Sequence, residues 1–145
     1  MKLTMSYAIK LNGDLKALKN SIIIYRDALC YTIPIVDGHW NELENFEYTT
    51  QRMMHVEKLL HSTSQNEAFD EKFHKFPSYL RRAVINRAIG VVSSYRSNLA
   101  NWVHNRKGLA PKLSLTHYTY PAYYKGNLFR NFDPVRQTIE LKVFK

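Results

Sequence analysis

The stretch FPSYLRRAVINRAIGVVSSYRSNLANWVHNRK, residues 76–107, decides the fold. Phe76-Pro77-Ser78 closes what precedes it. Pro77 and Ser78 suit a helix start, because proline is tolerated in the first turn and serine can cap orphan N–H groups. Apolar residues then recur at Leu80, Val84, Ala88, Val91, Tyr95, Leu99 and Trp102, three or four apart, which is the spacing of one helix face. The spacing predicts a helix of about seven turns. Opposite that seam, at roughly 100° per residue, lie Arg82, Asn86, Gly90, Ser93 and Ser97. A mid-helix glycine costs about 1 kcal/mol relative to alanine. Among small polar residues it fits a bulky group approaching the backbone, such as a sugar–phosphate chain; a plain surface glycine, or one admitting a neighbouring helix, is the alternative.

Upstream, Leu3, Met5, Tyr7, Ile9 and Leu11 alternate with polar or small residues, the pattern of a strand with one buried face. Asn12-Gly13-Asp14 supplies a turn, with Asp14 as N-cap of a helix carrying Leu15, Leu18, Ile22, Tyr25 and Leu29. That helix is expected to run to about Thr32 and to end before Pro34. Residues 35–47 read as a short helix and loop around Trp40, Leu43 and Phe46. Thr49 or Thr50 opens a further helix with Met53, Val56 and Leu60; residues 61–67 read as an exposed loop, and Phe69 to Lys75 as a short connector.

Downstream of Gly108 the texture changes. Pro111, Pro121 and Gly126 are mixed with Tyr118, Tyr120, Tyr123, Tyr124, Phe129 and Phe132, which favours short strands and turns. Asn131-Phe132-Asp133-Pro134 reads as a turn, and Ile139, Leu141 and Val143 alternate with Glu140 and Lys142 in a final strand. A strand at each end with helices between predicts an α+β fold, a small β-barrel or sheet formed by the N- and C-terminal strands with an inserted α-helical bundle.

At 145 residues and 45% apolar, the chain can bury one real core. Its net charge is +9, distributed unevenly: residues 1–75 hold 9 Lys/Arg and 10 Asp/Glu, whereas residues 76–145 hold 12 and 2. A one-sided field of this kind attracts polyanions, nucleic acid first among them. Cys30 is the sole cysteine, which excludes an intrachain disulfide and a cysteine zinc cluster and suits a reducing compartment. It lies in an apolar helical segment and reads as buried rather than nucleophilic.

The longest apolar candidate, Ser21 to Ile35, is interrupted by Arg26, Asp27 and Pro34, and the first residues lack a signal peptide's apolar block. A soluble, cytoplasmic protein is expected. The six histidines lack metal-ligand spacing and the five glycines are scattered, so neither a metal nor a nucleotide cofactor is expected. Asp133 and Glu140 have no second carboxylate nearby in sequence, and binding rather than catalysis follows. Tyr118, Tyr120, Tyr123 and Tyr124 interleave with Lys112, Lys125 and Arg130. That mixture stacks bases and meets phosphates, or else forms a tyrosine-rich sheet core.

The wording of residues 79–102 (YLRRAVINRAIGVVSSYRSNLANW), then PKLS (111–114), YPAYYKGNLF (120–129) and a strand ending in IELKVF, resembles the N-terminal part of the transposon-encoded TnpB proteins. These are RNA-guided DNA nucleases related to the compact type V CRISPR effectors. The resemblance implies a wedge-like β module over residues 1–12 and 110–145 and a helical recognition lobe over 13–109. It also implies guide RNA and duplex DNA as partners, and no membrane. It puts Tyr48 and Arg52 near the motif flanking the DNA target, with Lys75, Phe76, Tyr79, Arg82 and Asn86 on the same duplex and Tyr124 and Lys125 completing the surface. The family's nuclease domain and zinc ribbon lie downstream of residue 145, so the chain is expected not to cut DNA, as either a piece of a longer nuclease or a truncated relative.

The expected phosphate contacts are Arg81, Arg82, Arg87, Arg96, Arg106, Lys107, Lys112 and Lys125, and the expected base contacts are Tyr48, Tyr79 and Asn86. The alternative is a protein-interaction module whose basic half docks an acidic partner.

Overall fold

A computed structural model describes residues 8, 10–61, 68–115 and 119–144. In chain order these form α1 (Lys16–Gly38), α2 (Trp40–Leu43), α3 (Thr49–His61), α4 (Phe69–Lys72), α5 (Ser78–Asn105), β1 (Phe129–Asp133) and β2 (Thr138–Leu141). The fold is α+β. Helices α1 and α5 make the principal contact and α3 closes on α5.

The α5 seam expected from the sequence is real over its first half. Leu80, Val84 and Ala88 are buried, joined by Ala83, Ile85, Ile89 and Val92, on a helix that packs against α1 and α3. Val91, Tyr95, Leu99 and Trp102 are only half-buried, and no residue of the helix beyond Val92 is buried. The helix ends where Arg106 turns left-handed (φ 48°), and the Trp102 indole N–H donates to the Gly108 carbonyl at 3.1 Å. Pro77, rather than Ser78, occupies the N-cap position.

Helix α1 departs from expectation at Pro34. It continues through the proline to Gly38 instead of stopping near Thr32. The ring is exposed, while Ile33 and Val36 beside it are fully buried and Trp40 and Leu43 follow in the core. An interior proline costs about 3 kcal/mol; burying each of those apolar side chains returns roughly 1.5–3 kcal/mol, so burial wins. At the other end the Lys16 N–H donates to Asp14 at 3.0 Å, so Asp14 caps from one residue before the N-cap, Leu15.

Residues 69–75, expected as a connector, form an aromatic knot with Phe76. Phe69 is fully buried, with ring centroids 6.1 Å from Tyr31, 4.9 Å from Phe73 and 5.2 Å from Phe76. Phe76 also meets Phe144 at 5.0 Å, and the Phe144 N–H donates to the Ser21 hydroxyl on α1 at 2.8 Å. The end of the chain is thereby fastened to the helices.

Strands β1 and β2 form an antiparallel hairpin, and the described residues close no barrel. The expected turn at 131–134 sits further on, at 134–137. Asp133 Oδ1 accepts the N–H groups of Val135 and Arg136 at 2.9 and 3.0 Å. An aspartate does this from the first position of a turn, which makes Asp133 the turn's opening residue. The register shifts between Arg130 and Asp133, where Asn131 adopts φ 52°. Leu128 is buried in the helical core. Leu3, Met5, Tyr7 and Ile9 of the expected first strand, residues 62–67 of the expected loop, and Tyr118 lie outside the described residues; Leu11 is exposed and belongs to no strand. Cys30 is half-buried, with its thiol donating to the Leu115 carbonyl.

Candidate nucleic-acid interface

Helix α5 is the axis of the candidate site. With its inner face sealed, Tyr79, Arg82, Asn86, Arg87 and Gly90 point outward. The Arg82 guanidinium carbon sits 5.3 Å from the Tyr79 ring centroid, a cation–π contact that presents both side chains together. A Cβ added at Gly90 would meet open space. The glycine therefore does not admit a neighbouring helix, and no described group approaches its backbone.

Four expected contact residues serve the fold instead. Phe76 is buried in the aromatic knot. Arg81 pairs with Asp70 at 2.9 Å and Glu57 at 3.2 Å, its side chain 14% exposed. Arg96 binds the Asp37 carboxylate and backbone carbonyl at 2.6 and 3.1 Å, tying α5 to α1. Arg52 donates to the Phe46 carbonyl at 3.0 and 3.2 Å and lies over the Trp40 ring. Acidic residues of the first half thus neutralise two arginines of the second half. Sequence distance hid these pairs: Asp37 and Arg96 are 59 positions apart.

Arg130 pairs with Glu140 at 3.0 Å, and Arg136 approaches Asp133 at 3.8 Å. Arg82, Arg87, Arg106, Lys107, Lys112, Lys125 and Lys142 are exposed and have no carboxylate partner among the described residues. The uneven charge of the sequence becomes an uneven surface. Lys142 was not anticipated; its signal is the alternation at 139–143, which puts it on the face opposite Ile139 and Leu141.

Among the concavities beside α5, two have exposed cations of the second half in their walls and one, of about 700 Å³, lies between its last turns and Trp40, Asn41 and Glu44. A cleft of about 500 Å³ lies between Ser78 and Tyr79 and the hairpin, with Arg130, Glu140 and Lys142 in its wall. A groove of about 320 Å³ lies between the middle of α5 and residues 111–114. Near it, burial pushes the Tyr25 hydroxyl pKa up, with the Arg87 charge opposing this and Tyr124 adding to it. Lys75, in a left-handed turn (φ 58°), is exposed just before α5. Tyr48 is exposed at the start of α3, its N–H held by Gln51, while Arg106 and Lys107 mark the far end of α5.

A carboxylate flanked by two histidines lies elsewhere. Glu42 accepts from His55 at 2.9 Å and His39 at 3.2 Å, and these hydrogen bonds hold its pKa below the usual 4.5. A carboxylate so lowered supports the fold fully above about pH 5, and that support is lost as the pH falls through its folded-state pKa. Glu42→Gln is expected to lower the melting temperature at neutral pH and to converge with the parent protein as the pH falls through the lowered folded-state pKa of Glu42; thermal melts from neutral to acid pH check it. Equal gaps at both ends of the range would contradict the assignment.

No helix of the described residues is long and apolar enough to cross a membrane. No solved structure matches the chain. A protein of Aquifex aeolicus (strain VF5), the uncharacterized protein aq_aa04, is 46% identical over 50 residues, a stretch covering 34% of this chain and 28% of that protein. The model of the Aq_aa04 family matches residues 3–145, and the chain belongs to the Aq_aa04 family.

Proposed function

We propose that the chain is a nucleic-acid-binding module that acts without catalysis of its own. The observation that carries this reading is the set of seven exposed cations of the second half with no carboxylate partner among the described residues, several of them along the open face of α5 and beside it. Phosphates neutralise such a set with release of counterions. Tyr79, Asn86 and Tyr124 supply stacking and hydrogen-bonding groups beside those cations, for bases.

The finer reading rests on the resemblance to TnpB proteins. In it the chain is the cytoplasmic recognition part of an RNA-guided nuclease, with guide RNA and target-flanking duplex DNA as ligands. The hairpin belongs there to a wedge-like barrel of residues 1–12 and 110–145 around the helical lobe of 13–109. A two-stranded hairpin alone is marginally stable, which supports a further strand in that reading.

The test is binding to structured RNA, duplex DNA and heparin, each across a salt series. For nucleic acid the logarithm of affinity falls linearly with the logarithm of salt, by roughly 0.7–0.9 per phosphate contact. The Lys75→Ala, Arg82→Ala double variant is expected to weaken binding and to reduce that slope by nearly two contacts. An unchanged slope removes these residues from the interface. Equal affinity for all three ligands leaves only a basic surface, and binding to an acidic protein alone favours the interaction-module reading.

A further inference from the structure

We infer that the groove between the middle of α5 and residues 111–114 holds the sugar–phosphate backbone of a single nucleic-acid strand, and that Gly90 keeps its rim open for that strand. The inference rests on the nucleic-acid reading above and narrows it to one strand and one place. On α5 the wall is Arg87, Val91, Ser94 and Asn98, spaced i, i+4, i+7 and i+11 and so on one face. Eleven residues of helix rise about 16 Å, a length suited to a run of backbone rather than a single ion.

Charge in the groove is of one sign. Arg87 stands on the helix wall and Lys112 on the opposite segment; among the described residues neither has a carboxylate partner and no acidic side chain lines the groove. The larger cleft at the hairpin contains Glu140 and an internal Arg130 pair, and suits an anion less. Val91 and Leu113 are half-buried against the core and give the groove an apolar component for sugars, while Ser94 and Asn98 add polar side chains.

Gly90 supplies the independent argument. Its φ is not left-handed and a Cβ there meets nothing, so the fold does not need glycine. Alanine would be the more stable residue in a helix interior. What glycine provides is space at the rim.

The experiment uses the full chain with Gly90→Ala, Gly90→Leu and Ser94→Asp. It reads the melting temperature, and the affinity for a labelled oligonucleotide of about 12 residues as single-stranded RNA, single-stranded DNA and duplex DNA, with heparin as the polyanion control. Gly90→Ala is expected to melt a few degrees higher. Gly90→Leu is expected to fold and to bind single strands about tenfold more weakly, a loss of about 1.4 kcal/mol, with heparin affected less than duplex and duplex less than single strand. Ser94→Asp, which adds an anion without filling the rim, is expected to lose single-strand affinity too. RNA losing more than DNA assigns the strand to RNA, and the reverse to DNA. Parent protein that binds single strands while Gly90→Leu and Ser94→Asp bind equally well overturns the groove alone. Parent protein that binds no nucleic acid overturns the nucleic-acid reading and the groove with it.

Discussion

Phe69→Ala is expected to lower the unfolding free energy by about 3–5 kcal/mol, the range for removing a fully buried phenylalanine ring. Phe69 touches three aromatic rings, and one of them, Tyr31, belongs to α1. Through Phe76 the same cluster reaches Phe144 near the end of the chain. A cavity at Phe69 therefore loosens α1, the 69–76 segment and the C-terminal fastening together, with little freedom to collapse. Against a total stability of about 5–15 kcal/mol the loss is a large fraction. Urea unfolding should show a lower midpoint with an unchanged slope. Phe69→Leu keeps most of the volume and is expected to lose well under half as much. A loss below about 1.5 kcal/mol for the alanine variant would mean that the knot is not the keystone that its burial implies.

That cluster marks where sequence reading runs out. The Leu80–Val84–Ala88 seam was legible because a long helix repeats its burial every three or four residues. The segment from Phe69 to Lys75 contains a single helical turn, too short to show a period, so Phe69 and Phe73 read as part of a connector, whereas tertiary packing gathers them with Phe76. Pro34 misled for the opposite reason. Its local penalty is visible in sequence, whereas the burial of Val36, Trp40 and Leu43 that outweighs it is not. The turn after β1 was displaced because Asn131 looked like its opening residue, when it instead occupies the left-handed position where the register shifts.

The candidate site was legible in its chemistry and less so in its membership. Sequence alone located the excess charge and the Arg82–Asn86–Gly90 row, and these are exposed. It could not separate an arginine that faces outward from one that meets a carboxylate far away in the chain. Arg81 and Arg82 illustrate the limit: adjacent in sequence, they lie about 100° apart on α5 and have different neighbours.

Those two neighbours should give opposite results. Arg81→Met removes the guanidinium that bridges Glu57 on α3 and Asp70 on α4, while keeping most of the apolar stem. Breaking a fully buried pair costs about 3–5 kcal/mol. Here Glu57 is 25% exposed and Asp70 51% exposed, so water screens part of the loss and about 1–3 kcal/mol is expected. Removing both ends of the pair, with Arg81→Met and Glu57→Gln, should recover part of it, and the double-mutant cycle reads that coupling directly. Nucleic-acid affinity measured well below the melting temperature should keep its salt slope, because Arg81 already has its anions. Arg82→Ala is expected to do the reverse. Among the described residues its guanidinium meets the Tyr79 face and no carboxylate, so stability should fall by less than about 1 kcal/mol. The salt slope should shrink by nearly one contact. If Arg81→Met changed the slope and Arg82→Ala did not, the open face of α5 would not be the surface that meets the polyanion.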